Sequence, residues 1–426
     1  MNIPNLDSII IKDHFPKKIT LDNNIPVYCF ENKDMEVVYM KINFYNAGSV
    51  FQDKLCVANL TKSQLSQDTK KYSALDLSEQ IDYYGIGMSQ LCTNEMTVLN
   101  FSFLKKYQTQ AIDIIEQMVL YPLFNSDKLD ITIQNYKQNL LAKYQQSSFL
   151  AQKKLVSNLF GEENPYGKYA KVEDYDKVNT EDLRTFYNKR YTYNQCHIIL
   201  AGNIDEEFVR LLGNVLGKST WNKETADTTP NNIIIDKENY AKTIITDLPS
   251  AVQTSICMGK KFPTIDNEDF LPLKILNCLL GGYFNSRLMS NIREDKGYTY
   301  DISSFILPYT NVSMFLIATD VTKDKDERTI EEIFKEIKSL KEKKVDSTEL
   351  TTVKNYLIGE LLRMSDGVSD IAETYDYILK HNLPENYYSK LIETIKKTDS
   401  GDIMRLANKY FAKNDFIISL CKNNNK

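Results

Sequence analysis

The chain repeats itself. Thr132, Asn135, Tyr136 and Leu141 recur as Thr352, Asn355, Tyr356 and Leu361, and Asp182, Asn188, Lys189, Asn194, Ile198 and Asn203 recur as Asp402, Asn408, Lys409, Asn414, Ile418 and Asn423, always 220 residues later. One ungapped offset held across residues 132–203 marks a duplicated unit, so whatever one half folds into, the other must fold into as well. That constraint replaces one large sheet or barrel with two related units.

Each unit shows the same order of patterns. In the first, residues 19–31 and 37–45 alternate apolar and polar side chains as strands do, whereas residues 57–65 and 74–84 have helical spacing. A hairpin is expected over residues 88–93 and 96–103, turning at Asn94 and Glu95. Helical stretches follow at 108–120, 127–146, 151–159 and 180–190, and a strand at 195–201 closes the unit. The second half repeats this with strand character at 243–258, helices at 267–280 and 285–294, a hairpin over 300–319 and helices to residue 411. Within it, residues 323–344 read as a solvated helix with one buried stripe of Ile330, Ile333, Phe334, Ile337 and Leu340. Strands that meet in hairpins while helices group apart argue for an α+β fold: two homologous domains, each a mainly antiparallel sheet covered on one face by helices. The stretch 217–232 is rich in Gly, Ser, Thr, Asn and Pro, which places the boundary there. The expected organisation is residues 1–216, a linker at 217–236, and residues 237–426.

Composition narrows the function. Fifty-two basic against fifty-seven acidic residues give a net charge of −5, without the basic stripe that nucleic acid requires. No apolar run approaches the roughly 18 residues of a membrane span, and residues 1–20 interleave Asp7, Lys12, Asp13, His14, Lys17 and Lys18 in place of a secretion signal. Seven cysteines, none in a C-x-x-C spacing, suit reduced thiols, so a soluble cytoplasmic chain is expected. His14, His197 and His381 are the only histidines and no two stand at i,i+4, which rules out a two-histidine zinc site on one helix. Gly217-Lys218-Ser219 imitates the end of a phosphate-binding loop, but Leu212 occupies the position of its first glycine. No nucleophile elbow is present.

The informative stretch runs over residues 280–300. Asn285 or Ser286 is placed to cap a helix carrying Leu288, Met289 and Ile292, and Gly297 supplies a left-handed residue to end it. Arg293 then lies in the last turn, with Tyr300 across the Gly297 turn at the start of a strand. Two readings stay open on these residues alone: a guanidinium and a phenol converging on one oxygen, or an arginine paired with a carboxylate and a tyrosine packed in the sheet.

This pattern, a glycine pair, Ser-Arg-Leu, Ile-Arg-Glu, a basic residue, Gly and a Tyr seven after the Arg, resembles the C-terminal signature of the pitrilysin/insulinase zinc peptidases. Residues 21–27, 68–74, Asn164-Pro165-Tyr166-Gly167 and 191–203 with its Ala-Gly-Asn end extend the resemblance over nearly the whole chain. The family's inverted zinc motif, H-x-x-E-H, falls on Asn59, Leu60, Thr61, Lys62 and Ser63. An amide and a hydroxyl replace the two imidazoles, and cationic Lys62 replaces the carboxylate that activates water. A third ligand, a glutamate expected around residues 137–143, is missing too, since no Asp or Glu occurs between Ile131 and Gly161. The resemblance therefore implies no cofactor in this chain and no peptide hydrolysis by it alone. It also implies that Arg293 and Tyr300 are the pair that donates hydrogen bonds to the scissile carbonyl. Some bacterial members are heterodimers in which one subunit carries the zinc and a zinc-less subunit carries the Arg/Tyr pair, and this chain is similar to the second kind. The implied partners are a homologous zinc-binding peptidase subunit and a peptide. Two other readings are a structural or binding relative similar to respiratory-complex core subunits, and the substrate-recruiting subunit of a processing peptidase. The second of these uses a long glycine-rich loop that residues 280–287 lack.

Overall fold

A computed structural model describes residues 14–218, 221–222 and 242–424. The opening residues and most of the expected linker lie outside these. The first sheet contains β1 (Lys17–Thr20), β2 (Pro26–Glu31), β3 (Val37–Tyr45), β4 (Gly87–Cys92), β5 (Met96–Leu104) and β6 (Cys196–Gly202), in the spatial order β1-β2-β6-β3-β5-β4. Around it run α1 (Val57–Gln64), α2 (Ala74–Tyr83), α3 (Gln108–Leu120), α4 (Ser126–Lys143), α5 (Ser147–Phe160), α6 (Thr180–Arg190) and α7 (Glu206–Leu212). The second sheet, β7 (Thr243–Asp247), β8 (Thr254–Phe262), β9 (Thr299–Pro308), β10 (Ser313–Val321) and β11 (Ile417–Lys422), is ordered β7-β11-β8-β10-β9. Its helices are α8 (Phe270–Asn277), α9 (Asp326–Glu342), α10 (Ser347–Arg363), α11 (Val368–Lys380), α12 (Tyr387–Lys397) and α13 (Ser400–Tyr410).

The repeat is structural. Five strands of the first sheet match the second in order, and in both the one parallel pair, β2 with β6 and β7 with β11, occupies the same place. Helices α6 and α13 stand 220 residues apart at both ends. Each opens on a capping box: Asn179 and Asp399 accept the first helical N–H groups, and the recurring aspartates, Asp182 and Asp402, reach back to accept the backbone N–H of the capping residue.

Three expectations need correction. Residues 19–31 are two strands, because Asn24 takes a left-handed backbone at φ 70° and reverses the chain between β1 and β2. Residues 243–258 likewise divide into β7 and β8 around the turn at 248–251. The sheets are also covered on both faces near their centres. Helix α5 of the first half lies on β8 and β11, where Ala151, Leu155 and Leu159 pack with Cys257, Leu316 and Ile417. Helix α11 of the second half lies on β2 and β6, where Ala372, Tyr375 and Ile378 pack with Phe30, Ile199 and Ala201. Every residue of β6 is buried, which accounts for its unbroken Ile198-Ile199-Leu200-Ala201 run. Gly259 lets α5 approach, since a Cβ there would lie 2.9 Å from both the Leu155 side chain and the Phe315 carbonyl.

A polar cluster sits inside this exchange. One carboxylate oxygen of Asp376 on α11 accepts hydrogen bonds from Asn43 Nδ2 at 3.0 Å and His197 Nε2 at 3.2 Å, and the other accepts from Lys41 Nζ at 3.0 Å. Burial alone would raise the Asp376 carboxyl. The hydrogen bond from His197 and the Lys41 charge outweigh it and hold the group below its ordinary 3.8. A carboxyl depressed on folding adds stability that is present above its unfolded value and is lost as the pH falls through the folded one. Asp376→Asn is expected to cost about 1.5–3 kcal/mol at pH 7, the worth of hydrogen bonds to a charged group. In urea unfolding that deficit should shrink as the pH falls from about 4, where the carboxyl of the unfolded chain begins to protonate, through the lower value of the folded protein. A deficit of unchanged size in acid would contradict this account.

Candidate functional site

The candidate site residues fall in two groups, one placed by the periodicity of α1 and the other by a helical turn and the start of β9. On α1 the buried residues Val57, Leu60, Thr61 and Gln64 recur at i, i+3, i+4 and i+7, facing the core. Asn59, Lys62 and Ser63 share the opposite, half-buried face. No side chain of the N-cap residue Cys56 caps α1; Gln52 does the work from outside, its Oε1 accepting the Ala58 N–H at 3.1 Å. Facing Lys62 and Ser63 is Tyr136 of α4. Its phenol lies 2.6 Å from Ser63 Oγ and accepts from Lys62 Nζ at 3.3 Å. Burial pushes the neighbouring Cys92 thiol up to about 11, while a hydrogen bond with Thr97 and the Lys62 charge act in the opposite direction.

These residues do not fit a zinc ion. An amide and a hydroxyl stand where imidazole ligands are needed, an ammonium stands where a carboxylate would activate water, and the Ser63 hydroxyl is taken up in a hydrogen bond with Tyr136. Among the described residues, no three His, Cys, Asp or Glu side chains group as a metal site. Tyr136 escaped the sequence reading because the search there was for a glutamate at 137–143. Its recurrence as Tyr356 is the available signal, and Tyr356, though exposed, pairs with the Tyr283 ring at 5.0 Å.

The second group stands at the start of β9. The chain from Met289 to Asp295 is wound as a π-helical turn, so the regular helix expected at 285–294 is corrected in both pitch and start. The expected cap is corrected also: Ser286 Oγ is buried with no hydrogen-bond partner. Gly297, at φ 64°, does make the left-handed exit. A bidentate pair from Arg287 to Glu349, at 2.7 and 2.8 Å, ties this segment to α10. The Arg293 guanidinium lies 4.6 Å from the centre of the Phe284 ring and 5.7 Å from that of Tyr300. Phe284 is 61% exposed and Tyr300 85% exposed, so neither ring is a core residue. Among the described residues Arg293 meets no carboxylate and Tyr300 no hydrogen-bond partner, which decides against the paired-arginine, packed-tyrosine reading. Phe284 was missed because its exposure, not its type, is what sets it apart.

The structure brings Arg293 and Tyr300 together, and Asn59, Lys62 and Ser63 together. Among the described residues no hydrogen bond, ion pair or ring contact joins the two groups. A cleft of about 390 Å³, open to solvent, lies beside α1 and is lined by Asn59, Gln152, Tyr166, Tyr169, Tyr175 and Tyr309 among others.

Comparison with known proteins agrees with this geometry. The family described as "Insulinase (Peptidase family M16)" matches residues 37–168, and the one described as "Peptidase M16 inactive domain" matches residues 177–357. The chain belongs to the M16, or insulinase, peptidase family. A Helicobacter pylori protein named "Non-peptidase homolog YmxG" is 26% identical over 411 residues, spanning 94% of this chain and 93% of that one. Among solved structures, an M16 inactive domain from Pseudomonas fluorescens superposes with a TM-score of 0.83 at 20% identity, covering 96% of this chain and 98% of its own. A structure described as a protease from Helicobacter pylori gives a TM-score of 0.85 at 17% identity, covering 96% and 100%. These show the two-sheet M16 fold for this chain. No helix among the described residues is long and apolar enough to cross a membrane.

The donor set on α1 and α4 makes a metal prediction. Protein purified from zinc-supplemented medium and dialysed is expected to carry far less than one zinc per chain by plasma mass spectrometry. Stoichiometric zinc that survives dialysis would contradict the assignment of Asn59 and Ser63.

Proposed function

We propose that this chain is the zinc-less subunit of a two-chain peptidase, inactive alone and completed by a homologous subunit with an intact H-x-x-E-H motif. The observation that carries the reading is the pairing of two unengaged donors, Arg293 and Tyr300, on the exposed start of β9. An arginine held between aromatic faces keeps its N–H edge outward and its charge unneutralised. Such donors act where negative charge develops on a carbonyl oxygen, and losing one typically costs 10²–10³ in kcat. Metal and water belong to the partner, because the two histidine positions of this chain hold Asn59 and Ser63 and the stretch expected to supply the third ligand has no carboxylate. A peptide would be held between the subunits. Seven unpaired cysteines, all but Cys92 buried, support a reducing compartment such as the cytoplasm.

A second reading is a binding or structural subunit without catalytic duty, favoured by the name "Non-peptidase homolog" given to the Helicobacter pylori relative. One assay separates them. The full chain is mixed with a homologue that carries an intact H-x-x-E-H motif, and cleavage of a quenched fluorescent peptide is followed. Arg293→Ala is expected to lower kcat about 10²–10³-fold with KM changed much less, and Tyr300→Phe to lower kcat at unchanged complex formation. Mutant mixtures that cleave as fast as wild type would remove the catalytic role and leave the scaffold.

A further inference from the structure

The cluster on α1 has a charge without a counter-charge. Lys62 is half-buried, and among the described residues its Nζ meets only the neutral phenol of Tyr136. The helices facing it offer nothing more, for no Asp or Glu occurs between Ile131 and Gly161. The carboxylates flanking Tyr175, whose ring lies 6.0 Å from that of Tyr136, are already engaged: Asp174 with Lys177 and Asp176 with Lys137. A partly desolvated ammonium is costly to leave unpaired.

Around that ammonium are further donors. The Ser63 and Tyr136 hydroxyls are hydrogen-bonded to each other and the phenol lies within reach of Lys62, so a ligand oxygen could accept from the remaining hydroxyl hydrogen and from the ammonium. Asn59, one helical turn before Ser63 on the same face, makes no side-chain hydrogen bond of its own and opens onto the cleft. Where a metal-binding relative presents ligands to a cation, this chain presents donors to an anion. Of the four residues Asn59 is the one that lines the cleft beside α1, and it links the cluster to a lining of tyrosine rings and the Gln152 amide suited to peptide groups.

We infer that Lys62, Ser63, Tyr136 and Asn59 form a carboxylate-binding site for a peptide held in the cleft beside α1. This rests on the reading that the chain handles peptides, but not on Arg293 or Tyr300. Charge-assisted bonds to Lys62 carry the affinity, and the hydroxyls set the geometry. A carboxylate reaches the site either as a peptide C-terminus or as an acidic side chain.

The test uses the full chain without any partner and titrates three probes by calorimetry at pH 7 and low salt. They are an acetylated tetra-alanine with a free C-terminal carboxylate, the same peptide as its C-terminal amide, and an acetylated, amidated Ala-Ala-Asp-Ala. At least one carboxylate probe is expected to bind tenfold or more tightly than the uncharged amide, and whichever it is identifies the source. Lys62→Met should abolish that difference, and 0.5 M salt should narrow it. Tyr136→Phe, which keeps the ring, should reduce it several-fold with the circular dichroism melt unchanged. Equal binding of all three probes, no binding of any, or a difference that survives Lys62→Met in folded protein would overturn the proposal. Because the readout is binding to the isolated chain, its failure is distinct from failure of cleavage in the mixture.

Discussion

The reciprocal exchange of α5 and α11 is the constraint on which the molecule depends. Each half has an apolar core of its own, and each sheet buries part of its second face under a helix contributed by the other half, which joins the two. Leu155, fully buried against Gly259, and Tyr375, packed on Phe30, act as the two sides of this exchange. Burial at both contacts is worth far more than the polar cluster between them. The Asp376 group, with partners on β3 and β6, adds direction: it admits one placement of α11 along the first sheet.

This frame sets two chemical groups on different halves. At α1 the two histidine positions are taken by an amide and a hydroxyl, with a lysine in place of the general base, and the hydroxyl of Ser63 is hydrogen-bonded to Tyr136 of α4. At β9 an arginine stays free of carboxylates while Arg287, six residues earlier, is tied bidentately to Glu349. That contrast is informative. The segment spends one arginine on anchoring and leaves the other with its charge available, supported only by aromatic faces. The proposed division of labour follows from that pairing: donors for a developing oxyanion on this chain, metal on another.

Much of this was legible in the sequence. The 220-residue repeat named the capping aspartates of α6 and α13 before the helices were seen, and the ranges 37–45, 108–120 and 180–190 match β3, α3 and α6 at both ends. Local patterns carried these because a cap or a period of 2 or 3.6 is a property of neighbouring residues. What the sequence hid was non-local. Nothing in residues 147–160 says that α5 crosses to the other sheet, and a run such as residues 198–201 reads as buried without saying by what. The π-helical winding at Met289–Asp295 was hidden for the same reason, as its apolar residues satisfy an ordinary helix equally well. At the site, residue type revealed the loss of the metal ligands, but it took the structure to show that Tyr136 is hydrogen-bonded to Ser63 and that Arg293 and Tyr300 lack partners.

The central claim is that Tyr300 and Arg293 face a metal carried by another chain, and the most direct measurement is one of proximity. With 3-fluorotyrosine placed at position 300 and the zinc-motif homologue loaded with paramagnetic cobalt, the fluorine resonance is expected to broaden strongly on mixing, relative to the same mixture with diamagnetic zinc. Identical line widths in the two mixtures, with the complex shown to be formed, would contradict the account.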